Sequence, residues 1–407
     1  AFNEEATIVA SVRSFLGLKY PDYEIVVVND GSVDTTLDRL NDAYDLVPAV
    51  RITTSDLVTA EVQGIYRSRV HPSLWVIDKA NGGKADALNV GINYCNTPLL
   101  CAVDADTLLE RDALTRIVRP FLEDARTVAV GGKIRVINEC TVRSGVVTEA
   151  RLPRNLLAAL QTVEYLRAFL VGRVGWAAFD ASLVISGAFG LFSRGAVAEV
   201  GGYASKFTSG ETVGEDMELV VRLKRYFTEQ GRPCKIDFVP DSVAWTEVPE
   251  STKVLGRQRD RWQRGLIESL MRHRTMLLNP RFGATGMFAF PFFLFLEGFG
   301  PIIELSGYIA FGAIVFNGQA SGAYVVVFFL LAFAMGVVLS SVAVLIEEVA
   351  FGRYGRLPDV ARMFWLAALE NFGFRQMTTF WRVRGLWYVV TGKKSWGKME
   401  RKGFATK

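Results

Sequence analysis

Five short segments hold residue types and spacings that could do chemistry. Val103-Asp104-Ala105-Asp106 sets two carboxylates two residues apart after an apolar run, where their oxygens can hold a hard divalent cation against a diphosphate. A helix cap accounts for an isolated pair of this kind equally well, because Asp106 precedes Thr107-Leu108-Leu109. Asn29-Asp30-Gly31-Ser32 closes another apolar run with a permissive glycine, as close approach to a nucleotide requires; an Asx turn before a helix from Asp34 gives the same pattern. Asn81-Gly82-Gly83-Lys84 can present a cation and backbone donors to phosphates, and its plain alternative is a loop with a solvated lysine.

Gly214-Glu215-Asp216 opens an amphipathic pattern. Carboxylates there favour the positive end of a helix dipole, which is the bland reading. In the functional reading Asp216 is a general base that takes the proton of an attacking hydroxyl. Gln258-Arg259-Asp260-Arg261-Trp262 packs an amide, two guanidiniums and an indole into little more than one turn. Guanidinium suits a departing diphosphate and indole suits a sugar face, whereas a juxtamembrane anchor would use the same arginines and tryptophan to snorkel and to sit at an interface.

The elements that must position these groups follow from periodicity. Ile8, Val12, Phe15 and Leu16 recur at helical spacing, and Glu24 to Val28 reads as a buried strand ending at Asp30. Leu74 to Ile77, Pro98 to Val103 and Val128 to Gly131 read as further strands, and Gly83 to Asn93 as a helix. This alternation predicts a largely parallel sheet with helices on both faces, with Asp30 and Asp104 at carboxyl ends of strands, where ligands gather in such sheets. Beyond residue 151 the pattern predicts a strand over Leu183 to Phe192 and helices over Gly214 to Phe227 and Arg257 to Arg274, the last strongly basic.

Half of the 407 residues are hydrophobic, and they are not spread evenly. Residues 284–350 hold only Glu297, Glu304, Glu347 and Glu348 as charged side chains, so a boundary falls near Gly283. Stretches at 286–316 and 323–346 are each long enough to span a bilayer core of roughly 30 Å, the first kinked by Pro301. Arg272, Arg274 and Arg281 precede the pair and Arg353 and Arg356 follow it, which places both flanks in the cytoplasm. Leu357 to Phe374 carries Asp359, Arg362 and Glu370 and reads as an interfacial helix, followed by a basic cytoplasmic tail through Arg382, Arg384, Lys393 and Lys394. Three parts result: 1–283 cytoplasmic, 284–350 two transmembrane helices, and 351–407 interfacial helix and tail, in a multi-pass protein of the inner (plasma) membrane.

A net charge of +4 is too modest for a nucleic-acid binder. Four cysteines without CxxC spacing and two histidines argue against a zinc site or disulfide framework. Ala1 opens directly into a motif with no strand before it, so the expectation is that the first strand is missing.

Taken in order, AFNEE (1–5), NDGS (29–32), GGKADALN (82–89), VDADT (103–107), SGAFG (186–190), GGY (201–203), GED (214–216) and QRDRW (258–262) resemble the membrane-bound family 2 glycosyltransferases, such as cellulose, hyaluronan and poly-N-acetylglucosamine synthases. The resemblance covers residues 1 to about 275 closely and the remainder loosely. It implies an α/β GT-A fold, a Rossmann-like nucleotide-sugar-binding catalytic domain followed by transmembrane and interfacial helices. By position it assigns Asp30 and Lys84 to the nucleotide, Asp104 and Asp106 to the diphosphate and a Mg²⁺ or Mn²⁺ ion, and Asp216 to the base. Glu215, Gln258, Arg259, Arg261 and Trp262 fall to the acceptor and diphosphate edge, and Ser186 to Gly190 near the acceptor. The threonine usual before the Glu-Asp pair is Gly214 here.

The activity so implied is inverting transfer from a UDP-sugar, UDP-N-acetylglucosamine ahead of UDP-glucose, to a growing β-linked polysaccharide. The partners are that donor, a saccharide or lipid-linked acceptor, membrane lipids, and an accessory subunit or further copies of the chain. Two rivals stand beside it: transfer of one sugar to a lipid acceptor, and a non-catalytic membrane scaffold or export subunit that retains the fold.

Overall fold

In a computed structural model, residues 1–208, 210–354 and 356–392 are described. Its strands are β1 (Ile25–Asp30), β2 (Leu46–Pro48), β3 (Val62–Ser68), β4 (Leu74–Lys79), β5 (Leu99–Val103), β6 (Thr107–Leu109), β7 (Thr127–Val136), β8 (Thr141–Arg143), β9 (Val146–Glu149), β10 (Phe189–Ser193) and β11 (Lys235–Thr246). They form a sheet of order β1-β4-β3-β2, a second of order β5-β10-β7-β11-β6, and the hairpin β8-β9.

The expected largely parallel sheet is corrected here. Only β1/β4 and β7/β11 pair in parallel; β2/β3, β3/β4, β5/β10, β7/β10, β6/β11 and β8/β9 are antiparallel. Parallel neighbours need a helical crossover, and β3 and β4 are joined instead by a short turn at His71 to Ser73. The predicted strand over Leu183 to Phe192 is likewise shorter. It begins only at Phe189, because Ser186 accepts a turn bond from Phe189 N–H at 3.1 Å and Gly187 is drawn away by a carboxylate.

Buried apolar side chains form the core on both faces of the five-stranded sheet. Ile134, Phe189, Leu191 and Ala244 pack with Tyr165 and Phe169. Ala129, Phe192 and Ile236 pack with Leu219, Val220 and Leu223 of the Glu215–Glu229 helix. Because that helix buries its apolar stripe, its first turn, carrying Glu215 and Asp216, is fixed at the sheet's edge.

Gly322–Ala350 is the one unbroken helix among the described residues long and apolar enough to cross a membrane. Thr285–Gly298 and Gly300–Phe316 together pass the same test with a 42° bend between them. Pro301 lies in the first turn after that break, where its missing N–H leaves no bond unmade. The helix expected over Leu357 to Phe374 runs over Leu357–Leu369. The segment read as a loose basic tail is partly a helix, Phe374–Val390, packed along Thr252–Arg272. Its Arg384 pairs with Asp260 at 2.7 Å and its Arg382 with Glu297 at 3.0 Å, counter-charges that lie 124 and 85 residues away along the chain. Lys393 and Lys394 lie outside the described residues.

Candidate active site

Loop geometry puts Lys84 in place. Asp30, at the end of β1, is buried and accepts hydrogen bonds from Gly82 N–H at 2.9 Å and Gly83 N–H at 2.8 Å. The buried Lys79 ammonium pairs with Asp30 and, at 2.7 Å, with Asp86. Three buried charges thus hold the Asn81–Gly83 loop against its own helix. A Cβ on Gly82 would lie 2.0 Å from Asp86 Oδ2, so only glycine fits there.

Lys84, first residue of the Lys84–Asn93 helix, then reaches Asp104 Oδ1 at 2.6 Å and Glu215 Oε1 at 3.5 Å. Burial works against its charge, but Asp104, Glu215 and Asp216 outweigh that and hold its pKa above the ordinary lysine value. Burial in turn raises the pKa of Glu215, with Lys84 opposing and Asp216 adding to the shift; the Arg261 charge also acts on Glu215. Gly187 N–H donates to Asp216 Oδ2 at 2.9 Å and Met217 N–H to Asp216 Oδ1 at 2.8 Å, which fixes the plane of that carboxylate. A side chain at Gly187 would meet Lys84 Nζ at 3.0 Å and Asp216 Oδ2 at 3.1 Å.

The Thr252–Arg272 helix forms the far wall. Trp262 is 42% exposed, with the Arg259 guanidinium 4.4 Å from its ring centroid and the Tyr165 ring at 6.5 Å. Burial pushes the Tyr165 phenol up to about 12, in the combined field of Arg259, Glu164, Asp106 and Arg261. This helix approaches the Glu215–Glu229 helix through two glycines: a Cβ on Gly214 would lie 2.6 Å from Gly265 Cα, and one on Gly265 would lie 2.7 Å from Gly214 Cα. The glycine that replaces the family's threonine is therefore what lets the two backbones touch.

Of the residues singled out in the sequence, Lys84, Asp104, Glu215 and Asp216 converge on one point, with Gly187. Asp106 is buried between β5 and β6, and Arg261 and Trp262 stand on the far wall. Asp30, Gln258 and Arg259 are buried beside the cleft; Arg259 is committed to Glu164 at 2.6 Å. Sequence reasoning gave no role to Lys79, Asp86, Glu164 and Gly265, and placed Gly187 only as part of a segment near the acceptor. A lysine closing β4, after the apolar run Leu74 to Ile77 and Asp78, was the one available signal, since an ammonium is buried only when paired.

Asp104 and Asp106 follow β5 as a cation site requires, and Asp104 already holds an ammonium. Among the described residues no group of three or more His, Cys, Asp or Glu side chains is placed to hold a metal. The two carboxylates are hard oxygen donors of the kind a divalent ion such as Mg²⁺ or Mn²⁺ would take.

The comparisons agree with this architecture. A mannosyltransferase from Pyrobaculum calidifontis, solved in complex with GDP-Man and Mn²⁺, superposes with a TM-score of 0.55 at 16% identity, over 97% of this chain and 86% of that one. That likeness shows the GT-A fold. Poly-β-1,6-N-acetyl-D-glucosamine synthase of Staphylococcus aureus is 29% identical over 273 residues, 67% of this chain and 54% of the relative. The synthase of Staphylococcus epidermidis is 28% identical over the same shares. The chain thus spans about half the length of the curated relatives it matches. A family model described as glycosyltransferase like family 2 matches residues 1–265, well over half of the chain, and the chain belongs to that family.

Proposed function

We propose that this chain catalyses inverting transfer of a sugar from a UDP-sugar, UDP-N-acetylglucosamine before UDP-glucose, to a growing β-linked polysaccharide at the membrane. One observation carries the reading: Lys84, Asp104, Glu215 and Asp216, from segments up to 132 residues apart, meet around a single partly open point. The similarity to poly-N-acetylglucosamine synthases supports the donor and the polymer.

Asp216 accepts the proton of the acceptor hydroxyl as its oxygen attacks the anomeric carbon and the bond to the diphosphate breaks. One in-line displacement with a base and no enzyme nucleophile inverts the centre. Lys84 and Arg261 stabilise the charge on the departing diphosphate. Asp104 and Asp106 would hold Mg²⁺ or Mn²⁺, which supplies further positive charge to that leaving group. Trp262 offers the acceptor sugar an exposed apolar face. Gly322–Ala350 and the bent pair before it cross the membrane in this reading, with residues 1–283 and those after 350 on the cytoplasmic side.

Purified full-length chain incubated with a panel of radiolabelled UDP-sugars, followed by size fractionation, tests the proposal. A ladder or high-mass product from UDP-N-acetylglucosamine is expected; a single lipid-soluble product would transfer the case to lipid glycosylation. Excess chelator should lower turnover by roughly 10²-fold or more, the scale of removing charge stabilisation from a leaving group, and added Mg²⁺ or Mn²⁺ should restore it. Full turnover in chelator would refute the metal assignment.

A further inference from the structure

A second cleft, of about 460 Å³, lies away from Lys84. Arg126, Lys224, Arg232, Lys235 and Arg281 line it, against Asp180 as the single carboxylate. Lys224 is buried and bound on one side, pairing with Asp180 at 3.0 Å and donating to the Cys234 carbonyl at 2.9 Å. Arg281 donates to the Glu229 carbonyl at 2.5 Å and has no carboxylate partner among the described residues. The volume is that of a small-molecule site. Arg126 pairs with Asp124 at 2.7 Å, Lys235 with Asp237 at 2.9 Å and Arg232 with Glu199, which leaves Arg281 as the lining cation without a carboxylate partner among the described residues.

Its position is informative. Phe282 and Gly283 form one wall, directly before the first apolar segment at Thr285. The Thr285 hydroxyl donates to the Asp180 carbonyl at 3.2 Å, which fastens the start of that segment to the cleft. Next to Asp180, Phe179 is 72% exposed, and one turn beyond Thr285, Phe288 is 69% exposed. The cleft therefore lies where the chain turns apolar, and two exposed aromatic side chains, Phe179 and Phe288, lie close in sequence to Asp180 and Thr285. A soluble anion would use the cations alone, whereas a ligand with a phosphate head and acyl chains would use both features.

We propose that this cleft binds the phosphodiester headgroup of an anionic phospholipid, with its acyl chains laid against Phe179 and Phe288. The inference rests on reading the apolar helices as membrane segments. It gives the catalytic domain a lipid contact at the root of the first span, remote from the transfer site.

The test uses full-length chain in detergent micelles and the double variant Arg281→Gln/Lys235→Gln; Arg281 is exposed, whereas Lys235 opens β11 and pairs with Asp237 at 2.9 Å, so the unfolding midpoint of the variant is measured alongside binding. Binding of phosphatidylglycerol, phosphatidylcholine and inorganic phosphate is measured separately by native mass spectrometry or calorimetry. Wild type should prefer phosphatidylglycerol over phosphatidylcholine, and the double variant should bind phosphatidylglycerol roughly 10–30-fold more weakly, the effect of two cations near an anionic surface. Equal affinity of wild type and variant for phosphatidylglycerol overturns the site. Inorganic phosphate binding as tightly as phosphatidylglycerol, and lost in the variant, overturns the lipid assignment and leaves a soluble-phosphate pocket. Alkaline carbonate extraction of membranes, run in parallel, separates the two readings: a chain that stays in the pellet without headgroup selectivity loses the site but keeps its spans.

Discussion

The cation–carboxylate clusters at Lys84 and at Lys133 draw on the same kinds of side chain and differ in what surrounds them. At Lys84 one ammonium faces Asp104, Glu215 and the charge of Asp216, and the lysine side chain is 34% exposed. Negative charge is in excess there, and the cluster opens on a cleft. At Lys133 two cations from β7, Lys133 and Arg135, meet the single Glu347 of the Gly322–Ala350 helix, all three no more than 1% exposed. The Phe351 ring centroid lies 3.3 Å from Lys133 Nζ, and the Trp245 and Tyr354 rings close over Arg135. Excess positive charge is sealed there, and burial first, then Arg135, lowers the Lys133 pKa to about 7 against the pull of Glu347. An unbalanced cluster left open can bind a charged ligand, while a sealed one can only hold two elements together.

Breaking the open cluster should give the largest effect. Asp216→Asn keeps the shape of the side chain but cannot accept a proton, so turnover should fall by roughly 10²–10⁴ while UDP-sugar binding persists. Steady-state kinetics with a parallel binding isotherm decide it; normal turnover would reduce Asp216 to a helix cap. Breaking the sealed cluster should act on stability instead. Glu347→Gln strands two buried cations at a cost of about 3–5 kcal/mol, read as a fall in unfolding midpoint with unchanged kinetics in the fraction that remains folded. A loss below about 1 kcal/mol would mean that water reaches the cluster.

Gly265→Ala sharpens the comparison from between the two clusters. Its new methyl enters the contact with Gly214, so stability should drop by about 1–3 kcal/mol and turnover should fall with it, because Arg261 and Trp262 shift relative to Asp216. Stability lost with turnover intact would show that the far wall takes no part. A pH trend of about 2 kcal/mol between pH 7 and 9, comparable to the Gly265→Ala loss but without change of sequence, completes the comparison. With a folded pKa near 7 against an ordinary 10.5, Lys133 binds fewer protons folded than unfolded between those values. Stability should therefore rise with pH across that window and level off below about 7, where both states are protonated. Thermal midpoints at pH 7 and 9 measure the slope, and Lys133→Met should flatten it; an unchanged slope in that variant contradicts the assignment.

Much of this was legible in one dimension. Apolar runs located β1, β4, β5 and part of β7, and residue type with spacing picked out Lys84, Asp104, Glu215 and Asp216, because strand formation and charge are properties of short segments. What segments cannot carry is partnership. Asp30 looked like a ligand contact and is buried between Lys79 and the Gly82 and Gly83 amides; Arg259 looked like a phosphate donor and is committed to Glu164, 95 residues away. The helix over Phe374–Val390 looked like a tail because Asp260 and Glu297, which neutralise it, are remote in sequence. Strand direction was read as largely parallel and proved mostly antiparallel for the same reason, since an apolar run reads alike whichever way it pairs. The sequence alone determined which groups are present and how far apart they lie along the chain. Only the tertiary structure decided which of them meet, because Coulomb forces, hydrogen bonds and van der Waals contact act through space and take no account of chain separation.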